Sequence, residues 1–267
     1  MPKTHELTPG APIKMADLIS DGAHFCDDRE QAEKEFLALR ERLVALEPKL
    51  YADASRSLLV IFQAMDAGGK DSATRKVFTG VNPQGVRVVS FKQPTEEELA
   101  HDFLWRIHKQ TPRRGKIVVF NRSQYEDVLV VRVEKLAPKS VWQARFEQIN
   151  QFEEMLTAAG TRILKFYLHI SKDEQKERFQ SRLDEPSKNW KFSPDDLAKR
   201  AQWDDYQDAY EDVLKRCTTP WAPWHVIPAD RKWYRNLAVC RTIVDALETM
   251  DLRYPEPTWK PGEYKID

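Results

Sequence analysis

The sequence has few cysteines, no excess of charge of either sign and no long apolar run. Its three cysteines, Cys26, Cys217 and Cys240, lie far apart without CxxC spacing, which excludes a disulfide scaffold or a thiolate zinc site and favours a reducing cytosol. The 42 basic residues equal the 42 acidic ones, which argues against a nucleic-acid coat or a basic membrane-surface protein. No apolar stretch approaches the ~20 residues that cross a bilayer, and residues 1–13 contain no apolar secretory segment. We therefore expect a cytoplasmic protein that binds neither membrane nor nucleic acid.

Two kinds of catalytic signature are also missing. The six histidines show no HxxxH or His–Cys spacing typical of zinc sites, and His169 falls in an apolar segment where a core position is expected. The chain has no Gly-x-Ser-x-Gly elbow, so hydrolysis through a nucleophilic serine is not indicated. Hydrophobic residues make up 41% of the chain, which is enough for a folded core and excludes disorder over the whole length.

Short apolar segments alternate with segments of helical periodicity. The predicted strands cover residues 57–63, 86–91, 116–120, 162–170 and 224–227. The predicted helices cover residues 29–50, 70–79, 95–109, 140–159, 172–185, 193–216 and 233–250. Capping boxes are predicted at Thr95 and Ser171. This alternation predicts an α/β fold, with a parallel sheet flanked by helices on both faces. We expect one domain over residues 1–267 with an irregular lead over residues 1–27, and a ligand site at the carboxyl ends of the strands.

The first candidate phosphate site is the turn at residues 63–72, between a predicted strand and a predicted helix. Its adjacent glycines, Gly68 and Gly69, let backbone N–H groups approach an anion at a helix N-terminus. Lys70 adds a mobile positive charge for terminal phosphates. The alternative is an ordinary tight turn between strand and helix.

The same turn departs from the standard P-loop motif. Ala64 stands in place of its first glycine and Asp71 in place of its serine or threonine, and Ser72 comes one place late. A carboxylate beside a polyphosphate is unfavourable unless a cation lies between them, so Asp66 is a candidate ligand of Mg²⁺ or a group that orients the phosphate acceptor. The alternative is a turn aspartate that bonds its own backbone.

A second candidate site follows the predicted strand 116–120. Asn121 stands where P-loop enzymes usually carry an acidic Mg²⁺ ligand, and Glu126 and Asp127 follow one turn later. Arg122 can bond two phosphate oxygens at once, which a lysine cannot do. The alternative is a helix N-terminus where the two carboxylates interact with the helix dipole.

Basic residues are concentrated near both turns. Residues 103–125 contain no acidic residue, whereas residues 195–212 are strongly acidic. The basic residues of the first stretch are Arg106, Lys109, Arg113, Arg114, Lys116 and Arg122. With Lys70, Arg75 and Lys76, they predict a continuous basic surface for an extended anion. The alternative is a solvated charged face.

Residues 172–216 have the pattern of a lid. Arg178, Arg182 and Lys188 lie around a helix break at Pro186. We expect them to be exposed cations that close over phosphates and exclude water from the site. The alternative is an ordinary connection between helices.

Four segments, taken in chain order, resemble the polyphosphate kinase 2 family. The four segments are Asp66–Asp71, Gly80–Pro83, Asn121–Leu129 and Lys188–Phe192, and the resemblance spans residues 30–255. The resemblance implies a P-loop kinase-like α/β domain with a helical lid, which moves a phosphoryl group between inorganic polyphosphate and a nucleotide with Mg²⁺. The family also suggests dimers or tetramers.

Residues 121–126 read Asn-Arg-Ser-Gln-Tyr-Glu, where the commonest form of the family has Asp-Arg-Ser-Trp-Tyr-Asn. This variant is similar to the class III members, which accept both AMP and ADP and give ADP and ATP. Since residue 121 is not an aspartate, the resemblance leaves Asp66 and Asp127 to hold Mg²⁺. Glu126 is then expected to set whether a nucleoside mono- or diphosphate fits.

The resemblance also assigns roles at the matching positions. The turn at Gly68–Lys70 matches the Walker A loop, and residues 121–123 match the Walker B segment. The residues expected to be catalytic are Asp66, Lys70 and Arg122. Those expected to bind the phosphate chain are Ala67, Gly68, Gly69, Asp71, Ser72, Arg75, Lys76, Arg178 and Arg182. Those expected to bind the nucleotide are Asn121, Tyr125, Glu126, Asp127 and Lys188.

Two other functions fit the same residues. One is a nucleoside monophosphate kinase that uses ATP as its donor. The other is a module that binds polyphosphate or a nucleotide without catalysis, although such a module needs no acid to hold a metal. The two alternatives differ from the polyphosphate kinase in which donor, if any, supports turnover.

Overall fold

The structure is a computed structural model that describes residues 5–260 and 262–266. Within them, five strands form one sheet: β1 (Ser57–Gln63), β2 (Val86–Ser90), β3 (Ile117–Asn121), β4 (Thr161–His169) and β5 (Trp224–Pro228). Neighbouring strands are parallel, in the order β2-β3-β1-β4-β5. The predicted parallel sheet is confirmed, and the predicted limits of each strand lie within one residue of the observed limits.

Helices connect the strands in the described part of the chain. They are α1 (Arg29–Asp53), α2 (Lys70–Val77), α3 (Glu96–Leu99), α4 (Trp105–His108), α5 (Val130–Val133), α6 (Lys139–Ala158), α7 (Lys172–Asp184), α8 (Asp195–Ala201), α9 (Trp203–Arg216) and α10 (Lys232–Glu248). Short 3₁₀ segments cover Met15–Asp17, Gly22–His24, Gln124–Asp127 and Pro186–Lys191. Among these described residues, no helix combines the length and apolarity of a membrane span.

Both faces of the sheet are covered over β1, β3, β4 and β5, whereas the edge strand β2 is largely exposed. Every residue of β1, β3 and β5 is buried, and β4 exposes only Arg162. Because alternate side chains of a strand point to opposite faces, such strands need cover on both sides. Helices α1, α2 and α10 pack together as one group, and α5, α6 and α9 form a second group. The predicted arrangement of helices on both faces is confirmed.

The sheet order places the end of β1 at the centre of the carboxyl edge. From β1 the chain passes to β2 and β3 on one side and then to β4 and β5 on the other, so β1 lies at the switch point where α/β sheets bind ligands. Phe62 of β1 is in register with Asn121 of β3, and the N–H of Arg122 donates to the Phe62 carbonyl at 3.2 Å. The two predicted site segments therefore meet.

The predicted helix over residues 95–109 is wrong in its continuity, because α3 and α4 are separate. Its capping box is present: the Thr95 hydroxyl accepts from the N–H of Glu98, whose carboxylate accepts from the N–H of Thr95. The break follows from Asp102, whose side chain accepts from the Leu104 N–H at 3.0 Å. A short polar side chain that bonds nearby backbone competes with helix continuation.

The predicted helix over residues 193–216 is also divided, into α8 and α9, with a break at Gln202. Helix α9 buries one face through Trp203, Tyr206 and Tyr210, whereas α8 buries none of its residues. The break frees α8 to leave the body of the protein and to approach the carboxyl edge of the sheet.

The capping box predicted at Ser171 is half present. The Ser171 hydroxyl accepts from the Glu174 N–H at 3.1 Å, as expected of an N-cap. The reciprocal bond is replaced, because the Ser171 N–H donates to Asp230 at 2.8 Å. Glu174 pairs instead with Arg178, at 2.7 Å.

The lead, described from residue 5 onward, covers the outer edge of β5. Glu6 forms an antiparallel bridge with His225, and the Leu7 N–H donates to the Trp224 carbonyl at 2.8 Å. An edge strand has unpaired backbone groups that invite other strands, and this contact satisfies part of them. Residues 1–4 of the predicted lead lie outside the described residues.

Candidate active site

A cleft opens at the carboxyl edge of β1 and β3. It is lined by Ala64, Met65, Asp66, Lys70, Arg122, Glu126, Leu129, Val130, Gln175, Lys199, Tyr206 and Tyr210. The three residues predicted to be catalytic, Asp66, Lys70 and Arg122, therefore face one space. Helices α7, α8 and α9 close the cleft from the side opposite the sheet, through Gln175, Lys199 and the two tyrosines.

The turn after β1 has the backbone geometry of an anion cradle. Ala67 and Gly69 have φ values of +62° and +95°, which place them in the left-handed region. A Cβ at Gly68 would lie 2.4 Å from that of Ala64, so only glycine fits there. No described side chain caps the start of α2, which leaves its first N–H groups available to an anion. The Lys70 ammonium folds back over the turn and donates to the Ala64 carbonyl at 2.8 Å.

Arg122 lies between two carboxylates. It is held in the left-handed region at φ +63°, a strained conformation for a side chain other than glycine and one found often at functional sites. Its guanidinium lies 3.6 Å from Asp66 and 3.9 Å from Glu126. About two fifths of the side chain is exposed, at 39%, so a phosphate in the cleft can reach it.

Asp66 is the acid at the centre of the site. Lys199 of α8 lies 3.6 Å from its other carboxylate oxygen. Burial alone would raise the pKa of Asp66, but Lys70, Lys199, Arg122 and Arg182 together lower it below its ordinary value. Asp66 is therefore ionised at neutral pH. Burial and the nearby Arg122 also lower the pKa of Lys70.

Asp66 and Glu126 are the carboxylates that line the cleft and could bind a metal ion. Among the described residues, no group of three or more His, Cys, Asp or Glu side chains could hold a metal by itself. Mg²⁺ does not need such a group, because it typically binds one or two carboxylates together with substrate phosphates and waters. The residues present therefore fit Mg²⁺ bound jointly with a phosphate substrate.

Asn121 and Asp71 bond each other outside the cleft. The Asn121 amide donates to the Asp71 carboxylate, which joins the end of β3 to the start of α2. The Ser72 hydroxyl donates to the Gly69 carbonyl at 3.0 Å. The structure therefore places these three predicted ligand-binding residues within the framework of the turn.

Arg75 and Lys76 are exposed in the last turn of α2. Since a helix rises 1.5 Å per residue, they lie roughly 8 Å along the axis from the start of the helix. They do not line the cleft, although both belong to the predicted phosphate-binding set.

The 3₁₀ turn Gln124–Asp127 directs its side chains to different sides. A 3₁₀ helix has three residues per turn, so Glu126 faces the cleft while Tyr125 and Asp127 point away. Asp127 pairs with Arg145 at 2.8 Å, and burial raises the pKa of Asp127 to about 6 despite that partner. The structure does not bring Asp127 to Asp66, and it buries Tyr125 completely.

Tyr125 belongs to a buried network that anchors this turn, which we call the Lys165 network: Gln124, Tyr125, Glu153 and Lys165. The Lys165 ammonium donates to Glu153 at 2.6 Å, to the Tyr125 hydroxyl at 2.8 Å and to the Cys217 carbonyl at 2.7 Å. Glu153 also accepts from Tyr125 and from Gln124, at 2.8 and 2.9 Å. Both charges are fully buried. The network joins the turn after β3 to β4 and α6.

Arg178 differs from the expected exposed lid cation, because it is buried at 9% exposure. Its guanidinium donates to the carbonyls of Ala67 and Ala229 at 2.9 and 2.6 Å. The expectation of exposure is wrong, and the reason is that α7 packs directly on the turn after β1. Gln175, on the same helix, donates to the Asp66 carbonyl at 2.9 Å.

The remaining predicted lid residues join the lid segments to one another. Arg182 of α7 pairs with Asp196 of α8 at 3.2 Å. Lys188, in the 3₁₀ segment after α7, pairs with Glu185 at 2.5 Å. Neither lines the cleft, whereas Lys199 of α8 does.

The predicted continuous basic surface is wrong. Residues 113–116 precede β3, so they lie at the amino edge of the sheet, opposite the cleft, where Lys116 donates to the Gln84 carbonyl. Arg106 is buried, and it pairs with Glu98 at 2.9 Å. A run of like charges in sequence is divided when a strand carries the chain from one edge of the sheet to the other.

Comparison with known proteins decides the family. The profile of the family described as polyphosphate kinase 2 matches residues 26–255. The chain belongs to the polyphosphate kinase 2 family. It is 52% identical to the AMP/ADP-polyphosphate phosphotransferase of Meiothermus ruber over 256 residues, 96% of each chain. It is 47% identical to the ADP-polyphosphate phosphotransferase of Rhodopseudomonas palustris over 246 residues, which cover 88% of this chain and 85% of that relative.

A solved polyphosphate kinase 2 has the same fold. The crystal structure of the Arthrobacter aurescens protein superposes with a TM-score of 0.92 at 43% identity, and the match covers 96% of this chain and 92% of that one. The family indicated by the sequence and the P-loop kinase-like α/β fold are both confirmed.

The residues near the site that were missed in the sequence include the cleft-lining Tyr206 and Tyr210 and four with charged or amide side chains. Gln175 and Lys199 line the cleft from helices more than a hundred residues after the turn they face. Lys165 carried a usable signal, because a lysine inside an otherwise apolar strand needs a buried partner. Glu153, that partner, lies on a helix whose other residues gave no indication of it.

Proposed function

We propose that this chain is a phosphotransferase that moves a phosphoryl group from inorganic polyphosphate to AMP and to ADP, giving ADP and ATP in a reversible reaction. The observation that carries the proposal is the convergence of Asp66, Lys70 and Arg122 on one cleft, in a chain of the polyphosphate kinase 2 family. The name of the Meiothermus ruber relative supports the use of both nucleotides as acceptors.

The reaction needs placement and charge neutralisation more than proton transfer. A terminal oxygen of the acceptor phosphate attacks the terminal phosphorus of the chain, and the bond between that phosphorus and the next bridging oxygen breaks. The acceptor gains one phosphate and the polyphosphate loses one. Because the attacking oxygen is already anionic near pH 7, with a phosphate pKa of about 6, no strong general base is required.

The protein supplies the placement. In the proposal, the N–H groups at the start of α2 and the Lys70 ammonium hold the end of the polyphosphate. The Arg122 guanidinium, fixed between Asp66 and Glu126, bonds the phosphoryl group in transfer and offsets its developing charge. Glu126 lies on the acceptor side and sets how many acceptor phosphates fit. Closure of the lid, residues 172–216, excludes water.

Mg²⁺ is the proposed cofactor, with Asp66 as its protein ligand and phosphate oxygens and waters as the others. When bound, it would supply positive charge that offsets the negative charge of the phosphates. The arrangement of Asp66 supports this role, because its carboxylate is ionised, partly exposed and aimed into the cleft.

A matrix of donors and acceptors tests the proposal. Polyphosphate or ATP is supplied as donor with Mg²⁺ to AMP, ADP, GMP and GDP, and the products are separated by ion-exchange chromatography. We expect ADP and ATP from polyphosphate with AMP. Turnover of AMP with ATP while polyphosphate is inert would instead show a nucleoside monophosphate kinase.

Asp66→Asn distinguishes an enzyme from a binding module. Turnover should fall at least ~100-fold, the scale for losing a group that holds the transition state, while retention on immobilised polyphosphate remains. Asp208→Asn, an exposed position on α9, is the matched control and should match wild type in both assays. Equal turnover in Asp66→Asn and wild type would contradict the assignment of Asp66.

The proposal extends to the setting of the enzyme. A cytoplasmic location is supported by the three cysteines, which are buried free thiols. An assembly of two or four copies stays a prediction, and light scattering of the purified protein measures it.

A further inference from the structure

A buried guanidinium lies directly behind the turn after β1. Arg235, in the first turn of α10, is 1% exposed. Its Nε and Nη2 atoms donate to the Asn236 side chain, at 3.2 and 2.7 Å. Within residues 5–260 and 262–266, Nη1 has no hydrogen-bond partner. A guanidinium that is buried with an unused donor is unusual, because desolvation of such a donor is normally offset by a partner.

Nη1 is in close approach to Gly69. A Cβ at residue 69 would lie 2.1 Å from this atom, so the glycine is required both by its positive φ and by Arg235. The contact places a full positive charge against the turn whose flanking residues, Asp66 and Lys70, line the cleft. Gly69 is the N-cap of α2, so the guanidinium lies against the residue at which that helix begins.

The surroundings of Arg235 contain more positive charge and no described counter-ion. No ion pair joins Arg235 to a carboxylate in the described part of the chain. Burial and the neighbouring Arg178 lower the pKa of Arg235 to about 9, so the group is still protonated at pH 7. The same neighbourhood, with burial, lowers the pKa of Lys232. Glu174 is the acid nearby, and it is paired with Arg178.

Such an arrangement is unfavourable for the folded chain alone. An uncompensated buried charge is destabilising, and replacement of buried charges by apolar residues of similar volume is often neutral or stabilising. The arrangement becomes favourable when an anion is bound at the turn, since a buried charge acts across a region of low dielectric constant with little screening.

We propose that Arg235 is a positioning residue for the polyphosphate, whose charge acts through the turn at residues 67–69 to hold the phosphate chain at the front of that turn. The inference rests on the proposed function, because it requires that polyphosphate binds there. It adds a residue that does not line the cleft and that lies more than 160 positions after Gly69 in the sequence.

The test uses Arg235→Met, which keeps most of the side-chain volume and removes the charge. Initial rates are measured against polyphosphate at saturating AMP, and against AMP at saturating polyphosphate, together with the melting temperature. We expect the KM for polyphosphate to rise about 10- to 100-fold, the KM for AMP to change less than about 2-fold, and the melting temperature to stay or rise. A merely structural role would lower the melting temperature and would not act on one substrate alone.

Two further variants keep the result decisive. Arg235→Lys retains the charge and should restore the KM for polyphosphate to within about 5-fold of wild type. Arg241→Met removes an arginine of the same helix that pairs with Glu35 at 2.5 Å, and it should lower stability slightly without changing either KM.

The inference is overturned if Arg235→Met binds polyphosphate like wild type, if it unfolds more easily than wild type, or if Arg235→Lys is as impaired as Arg235→Met. These failures differ from failure of the proposed function. Wild-type protein that neither retains nor consumes polyphosphate would overturn both together.

Discussion

The Lys165 network gives the most quantitative prediction about the fold, and its perturbation is Lys165→Met. The variant leaves Glu153 buried and uncompensated, with only the neutral donors Gln124 and Tyr125. Removal of one partner from a buried pair costs about 3–5 kcal/mol. At roughly 2–4 °C per kcal/mol for a domain near this size, the melting temperature should fall by about 6–20 °C.

The companion variant Glu153→Gln/Lys165→Met removes both charges and keeps an acceptor for Tyr125 and Gln124. We expect the double variant to be at least ~1 kcal/mol more stable than the sum of the two single variants predicts, which is the coupling expected of residues in one network. Thermal unfolding followed by circular dichroism, at equal protein concentration, gives the stability of Lys165→Met, of Glu153→Gln and of the double variant, each relative to wild type.

The same network should also affect the reaction. It holds the 3₁₀ turn that follows Arg122, and a shift of about 1 Å in a reacting group can cost 100-fold in rate. We expect kcat of Lys165→Met to fall about 10- to 100-fold when it is measured well below its melting temperature. A melting temperature within ~3 °C of wild type would refute the claim that this pair anchors the turn.

Three further perturbations test single residues of the site. Arg178→Ala leaves the carbonyls of Ala67 and Ala229 without this donor, at a cost of about 1–3 kcal/mol each. Both the melting temperature and the turnover should therefore fall. Lost turnover at an unchanged melting temperature would contradict a structural role for these two hydrogen bonds. Glu126→Asn should reduce kcat/KM for AMP more than for ADP, and equal losses for the two acceptors would remove its selectivity role. Asp127, whose pKa burial raises to about 6, binds its proton more tightly in the folded chain, so stability should fall as pH rises from about 4 to 6. Asp127→Asn should therefore unfold at a higher temperature than wild type at pH 8, by up to about 3 kcal/mol of stability, and like wild type at pH 4; no gain at pH 8 would show that the ion pair with Arg145 outweighs burial.

The parts of the fold that follow from local sequence could be predicted. Strands β1 and β3 are buried at every position, and their apolar runs, Leu58–Phe62 and Ile117–Phe120, end within one residue of the strand limits. The site residues that directly follow a strand end, Asp66, Lys70 and Arg122, could be predicted for the same reason, since parallel strands bring their carboxyl ends to one edge.

The rest depends on contacts between distant segments. Lys199 is indistinguishable in sequence from a surface cation until the break at Gln202 directs α8 to the cleft. Arg178 lies in a polar, cationic stretch of sequence that predicts an exposed lid residue, and it is buried because its helix packs on the turn after β1. The basic residues around β3 show the reverse case. Residues 113–116 and Arg122 are close in sequence, but β3 lies between them and places them at opposite edges of the sheet.

The departure from the standard P-loop motif becomes intelligible once Asp71 and Asn121 are seen together. In the standard arrangement, a serine or threonine follows the lysine and an acid stands at the neighbouring strand end. Here the acid follows the lysine and the neutral amide stands at the strand end, and the two side chains bond each other directly. Relative to the standard motif, positions 71 and 121 have exchanged the acidic and the neutral residue, and the two side chains remain in contact. Because the carboxylate of Asp71 is engaged by the amide, the carboxylates left to face the cleft near Lys70 are those of Asp66 and Glu126. The cations around Asp66 lower its pKa, so it is ionised in the cleft.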